Sequence, residues 1–215
     1  MEAAELTRQK TDKDKRMLEK NNRKAGFPID PVYLERWSAR SFRPEAMPEE
    51  DLLTMFEAAR WAQSASNHQP WRFSYALRDS AEWDKYLGFL IDSNRAWSQN
   101  ASAIVVVVSK NHTMPTDGSE PKYNRTHDFD TGAATQAFTL QASRLGYIAH
   151  PMAGIHIDLI QEGLGISSEL YTVECMIAVG RLAPREELPE KYQPREIQSQ
   201  RKPLAEIVFK GEFKS

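Results

Sequence analysis

Two stretches of this chain place residues at spacings that could hold an anion and a flat ring. In Arg36-Trp37-Ser38-Ala39-Arg40-Ser41-Phe42, two arginines flank a serine. If they converge, their guanidinium groups and the hydroxyl could grip a phosphate and the electron-rich edge of a heteroaromatic ring. If they do not, they are surface cations. The second stretch is Gln63-Ser64-Ala65-Ser66-Asn67-His68-Gln69-Pro70-Trp71. It is longer than the roughly two to six residues that usually join a helix to a strand. Ser64, Ser66, Asn67 and Gln69 could form a polar shelf for a flat ligand, or simply a capped helix end followed by a turn.

Other chemistries lack their motifs. The chain has no GxGxxG or GxxxxGK[ST] loop, so it carries neither a dinucleotide fingerprint nor a P-loop. Histidines at 68, 112, 127, 150 and 156 form no HExxH pair, and no metal site is expected. There is no GxSxG elbow. Cys175 lies inside the apolar run TVECMIAV, which reads as a core thiol rather than a nucleophile. As the single cysteine, it excludes an intrachain disulfide.

These residues need elements to position them. Asp30-Pro31 suits a helix start, opening a helix through Tyr33 and Leu34 that ends at the Arg36 stretch. Behind Pro48, Leu52, Leu53, Phe56 and Ala59 recur at helical spacing, and residues 72–77 alternate as a strand. Ser80 could cap a helix carrying Trp83, Leu87, Leu90 and Ile91, with residues 92–99 as a polar link. Residues 103–108, AIVVVV, fit a strand covered on both faces. Residues 111–127 read as a long loop, a candidate lid. The small-residue helix over 131–145, closed by Gly146, suits a buried centre or a subunit interface. A short strand over 147–149 leads into His150-Pro151-Met152-Ala153-Gly154. A helix over 158–164, a strand over 172–179 and an edge strand over 205–209 complete the reading.

The 215 residues carry 28 Lys and Arg against 30 Asp and Glu, a net charge of −2, which provides no general pull towards nucleic acid or an anionic membrane. Residues 1–30 read as a charged N-terminal extension and 31–215 as one domain. The N-terminal residues have no apolar signal-peptide core, and no run approaches the ~20 apolar residues of a membrane span, so a cytoplasmic protein is expected.

RWSARSF, AARWAQSASNHQPWRF, the IVVVV run, LGYIAHPMAGI, AVG and RKPLAEIV, taken in that order over about residues 33–209, resemble the flavin-dependent (FMN) nitroreductase family. The resemblance implies an α+β, nitroreductase-like fold: a mixed central β-sheet wrapped by helices, in an intertwined homodimer with FMN at the interface. Arg36 and Ser38 match the positions that grip the phosphate and ribityl chain, Arg40 the cation beside the pyrimidine edge, and Arg201 a late basic residue at the phosphate. Gln63, Ser64, Ala65 and Asn67 match the loop reaching the partner's flavin, with Gln69 nearby. Ala153 and Gly154 match a turn whose amides face the ring, and Asn94 a flavin-contacting asparagine; Trp37, Pro151 and Met152 complete the expected cofactor-binding set. Departures are Gln63 where many members have proline, Ala153 where some are acidic, and Ser199 where some carry a second late base. The implied activity is NAD(P)H oxidation through FMN, reducing a nitroaromatic, quinone, enone or similar small acceptor by a ping-pong scheme, with NADH or NADPH as donor. An FMN-binding storage or sensor protein with little turnover is the alternative.

Overall fold

Side chains alternate across a strand, so a strand apolar at every position needs cover on both faces. The computed structural model, which describes residues 22–115 and 117–213, meets that requirement. Strands β1 (Trp71–Leu77), β2 (Ala103–Lys110), β5 (Ile148–Met152) and β6 (Tyr171–Gly180) form one sheet in the order β1-β2-β6-β5. A small hairpin, β3 (His112–Thr113) with β4 (Lys122–Tyr123), lies within the stretch expected as a plain loop. Helices α1 (Val32–Glu35), α2 (Glu49–Arg60), α3 (Trp83–Gly88), α4 (Asp92–Ser98), α5 (His127–Arg144) and α6 (Ile157–Leu164) surround the sheet.

Alternation along β2 divides the core. Ile104, Val106 and Val108 pack with Trp83, Leu87, Trp97 and Ile160, contributed by α3, α4 and α6. Ala103, Val105 and Val107 face Leu52, Met55, Phe138 and Ala142, contributed by α2 and α5. Full burial of each valine, leucine, isoleucine, phenylalanine or methionine among them stabilises by about 1.5–3 kcal/mol.

The α+β class is as expected, but within this chain the sheet is antiparallel at every pairing rather than mixed. Leu77 pairs with Ala103, so the chain leaves and re-enters the sheet at the same end and β2 must run back along β1. Along β2 and β6 the register shifts: Val107 pairs with Cys175 and Val108 with Val173, leaving Glu174 as a bulge.

Three local expectations are corrected. Residues 92–99 are not a polar link but form α4, which Trp97 anchors by burying its indole against Phe42. Ser80 starts the turn into α3 through its backbone carbonyl, which accepts the Trp83 amide; its hydroxyl is buried with no hydrogen-bond partner among the described residues. Residues 205–209 form no strand: Leu204–Glu206 is a 3-10 turn, and Leu204, Ile207 and Val208 are exposed. A strand needs a neighbour for its amides, and that segment pairs with no strand among the described residues. Among those residues no helix is long and apolar enough to cross a membrane.

Candidate functional site

The backbone turns extended at Arg36, the C-cap of α1 (φ −63°, ψ 125°). From there alternate residues point opposite ways: Trp37, Ala39 and Ser41 are buried, whereas Arg36, Ser38 and Arg40 share the less buried side. Three anchors fix the segment. The Glu196 carboxylate accepts the amides of Arg40 and Ser41, the Ser41 hydroxyl donates to the Pro184 carbonyl at 2.7 Å, and His150 Nδ1 donates to the Ala39 carbonyl at 2.9 Å. Burial, then the nearby Arg40 and Arg36 charges, hold the His150 imidazole down at about 4, although the Ala39 bond acts the other way. The ring is therefore neutral at pH 7 and packs 4.7 Å from Trp97.

An open cleft of about 360 Å³ lies beside this segment, lined by Arg36, Ser38, Thr131, Thr135, Pro151 and Cys175 among others. That volume falls within the range of small-molecule sites. Its helical wall is a stripe on α5: Asp128, Thr131, Gly132, Thr135, Gln136 and Thr139 recur at i, i+3, i+4 spacing. The opposite face of α5, with Ala134, Phe138 and Ala142, packs on the sheet. On β6 the bulge lets consecutive residues, Glu174 and Cys175, both line the cleft. Burial, then Glu174, pushes the Cys175 thiol up to about 12, so it stays protonated and is no nucleophile.

Two features beside the cleft suit an anion with polar attachments, set against Asp128 and Glu174 in the same lining. Arg36 is half-buried, and its guanidinium pKa is lowered first by burial and then by Arg201. The two cations are thus close enough to repel, although Arg201 lies 165 positions later in the chain. The Thr131 hydroxyl is buried and has no hydrogen-bond partner among the described residues, as does Trp37 Nε1. A ligand hydroxyl or carbonyl would satisfy the Thr131 group.

Asn94 and the 153–154 turn also meet. Asn94 Nδ2 donates to the Gly154 carbonyl at 3.0 Å, and the Ile91 amide donates to the same oxygen at 3.3 Å. A Cβ built on Gly154 would lie 2.6 Å from Ile91 Cδ1 and 2.7 Å from Asn94 Nδ2, so any larger residue must push these two side chains aside. In this chain, then, Asn94 holds the turn. Ala153 is exposed, whereas Met152 points into the core, where the Ser98 hydroxyl contacts its sulfur.

The shelf is built but lies apart from the cleft: none of Gln63, Ser64, Ala65, Asn67 or Gln69 lines it. Ser66, Asn67 and Gln69 adopt positive φ values of 50°, 52° and 47°, which are uncommon for non-glycine residues. Asp130, only 2% exposed, fixes this conformation by accepting the Ser64 hydroxyl at 2.8 Å and the Ala65 amide at 3.0 Å. Ser64 Oγ in turn accepts the Gln69 amide at 2.9 Å. Arg40 also stays outside the cleft lining; its guanidinium lies 3.8 Å from the buried Glu196 carboxylate and donates to the Arg195 carbonyl.

Sequence reading missed several of these residues. The threonine-rich stripe on α5 was detectable as helical periodicity. Asp130 and Glu196 sent no local signal, because their partners lie far away in sequence. A third group is a polar chain beside the bulge, buried at Ser109 and His127 and exposed at Tyr123. The Ser109 hydroxyl donates to Glu174 at 2.5 Å and lies 2.7 Å from His127 Nδ1, and His127 Nε2 lies 3.1 Å from the Tyr123 hydroxyl.

The sequence model of the Nitroreductase family matches residues 33–101 and 93–181. A Bacillus subtilis protein named as an NAD(P)H nitroreductase, YdgI, is 24% identical over 180 residues, covering 69% of this chain and 85% of its own. A Streptomyces coelicolor protein named as an NADH dehydrogenase/NAD(P)H nitroreductase is 26% identical over 155 residues, covering 65% and 73%. A solved structure described as an oxidoreductase containing FMN is 46% identical, with a TM-score of 0.88 over 90% of this chain and 97% of its own. A Desulfovibrio desulfuricans nitroreductase structure in complex with FMN shares the fold at 24% identity, with a TM-score of 0.66 over 87% and 100%.

Proposed function

This chain belongs to the nitroreductase family, and from that membership we propose that it is an FMN-dependent oxidoreductase drawing on NADH or NADPH. Its acceptors are small oxidants of the nitroaromatic, quinone or enone type. The observation that carries the reading is the convergence of Arg36, Ser38 and Pro151 on one cleft, with Arg201 near enough to Arg36 to shift its pKa.

The residues fit the cofactor. Paired guanidinium groups suit one terminal phosphate, and the sequence has no glycine-rich turn for a pyrophosphate. Ser38 and the orphaned Thr131 hydroxyl suit the ribityl chain or a ring carbonyl. The Ala153-Gly154 turn, locked by Asn94, offers backbone amides at a fixed position. When bound, FMN supplies hydride acceptance and release, so the protein needs no nucleophile. Arg36 and Arg201 bind, the turn orients, and the Arg40–Glu196 pair sets the local charge. Donor and acceptor then use the same open face in turn, which is a ping-pong scheme.

The working unit in this reading is a homodimer. Asp130 hangs the shelf on α5, whose other face lines the cleft, so the shelf projects Gln63, Asn67 and Gln69 into solvent. Pairing two copies along α5 would carry each shelf to the other copy's cleft, a use that accounts for ordered, strained polar residues facing outwards.

The test is direct. Purified protein should show flavin absorbance, release FMN rather than FAD, bleach with NADH or NADPH under anaerobic conditions, and recolour with a nitroaromatic or quinone. Light scattering should report a dimer. A colourless protein that takes up no added FMN overturns the reading. Flavin that binds but never bleaches makes this an FMN store.

A further inference from the structure

Arg23 belongs to the charged segment that sequence reading sets outside the domain, yet its guanidinium bonds to the backbone of Arg36 and of Ser199, two positions before Arg201. Its Nη1 donates to the carbonyls of Leu34 (3.2 Å) and Arg36 (2.8 Å) where α1 ends. Its Nε donates to the Ser199 carbonyl at 2.9 Å. Arg201 Nη1 donates to that same carbonyl at 3.3 Å and to the Ser199 hydroxyl at 3.0 Å. Arg23 and Arg201 therefore share one acceptor oxygen, and Arg23 touches the backbone of Arg36. The segments around residues 23, 36 and 201 thus meet, with Arg23 bridging the other two through their backbones.

Resting on the reading of the cleft as an FMN site, we propose that Arg23 is the third cation of the phosphate grip, recruited from the N-terminal segment to act with Arg36 and Arg201. Electrostatics support the geometry. Burial, then Arg201, then Arg36 lower the Arg23 pKa, and burial then Arg201 lower that of Arg36. Like charges assembled in a partly buried place repel, and a dianionic phosphate turns that repulsion into attraction. A helix C-terminus also attracts a cation, so the competing view makes Arg23 only a clamp joining α1 to the tail. A clamp holds the fold whatever the ligand, whereas a phosphate contact is felt only by ligands that carry phosphate.

That difference sets the experiment. Flavin-free full-length protein is titrated with FMN and with riboflavin, following flavin fluorescence at several salt concentrations, for wild type, Arg23→Gln and Arg23→Lys. Arg23→Gln keeps hydrogen-bond donors and removes the charge. It should weaken FMN binding about tenfold, the scale of one charge-assisted hydrogen bond, and leave riboflavin binding within about twofold. Its FMN affinity should also fall less steeply with salt. Arg23→Lys should recover most of the FMN affinity. The proposal is overturned if Arg23→Gln weakens FMN and riboflavin equally with parallel salt dependence, or leaves FMN binding unchanged. A wild-type protein that binds no FMN instead removes the FMN reading itself, and the proposal with it. Melting temperatures of the flavin-free variants supply the control: a loss shared by Gln and Lys, without phosphate selectivity, identifies the clamp.

Discussion

The Glu196 carboxylate accepts the Arg40 amide through both its oxygens, at 2.8 and 3.1 Å, and lies 3.8 Å from the guanidinium of the same residue. One acid thus holds the backbone of the site segment and offsets the charge that the segment presents. Glu196 is 6% exposed, so its removal leaves buried donors unsatisfied. Glu196→Ala should cost about 3 kcal/mol, the scale of breaking a buried charge contact, measured by urea unfolding.

The same pair yields a redox prediction. Reduction adds negative charge to a flavin, so a nearby cation favours the reduced state and a nearby anion opposes it. Arg40→Gln should lower the midpoint potential of bound FMN and Glu196→Gln should raise it, as read by anaerobic redox titration. Each change of about 1.4 kcal/mol corresponds to about 30 mV for a two-electron couple. Unmoved potentials in both variants would remove Arg40 from the account of the ring.

Asp130 is expected to control the shelf. Asp130→Ala withdraws the acceptor of the Ser64 hydroxyl and the Ala65 amide, releasing residues held at positive φ. The cost should be about 1–3 kcal/mol. Faster amide exchange at residues 64–69, alongside weaker FMN binding, is the expected signature.

Gly154 should accept a side chain only if Ile91 and Asn94 move aside. Its Cβ would enter the space of Ile91 and Asn94, so Gly154→Ala should destabilise by about 1–3 kcal/mol through overpacking. It should also displace the turn. Thermal unfolding and FMN affinity report the two effects separately.

His150 imposes a pH dependence on stability. Its pKa is about 4 in the folded protein against 6.5 when unperturbed, so as pH falls the unfolded chain takes up this proton first. Stability from this group is therefore complete above about pH 6.5 and declines as pH drops towards 4, by roughly 3 kcal/mol in total. His150→Gln should flatten that part of the stability–pH curve, measured by chemical denaturation between pH 4 and 7.

Local pattern was enough to place much of this protein. Apolar runs in residues 103–108 and 172–179, the periodicity behind Pro48, and Gly146 located β2, β6, α2 and the end of α5. These are short-range effects, encoded by neighbours within one helical turn or a few strand residues. The arginine-serine stretch and the polar shelf stood out for the same reason, since each is contiguous.

Tertiary structure alone decided what those residues meet. The pairing of Glu196 with Arg40, the grip of Asp130 on Ser64, and the approach of Arg23 and Arg201 to Arg36 join positions far apart in sequence. Nothing at either end of such a contact marks its partner, because burial and charge balance are properties of the packed chain. The same limit explains α4: residues 92–99 read as a polar link until the packing of Trp97 against Phe42 supplies the energy that makes them a helix. It explains residues 205–209 as well, where strand-like composition finds no neighbour among the described residues to complete its hydrogen bonds.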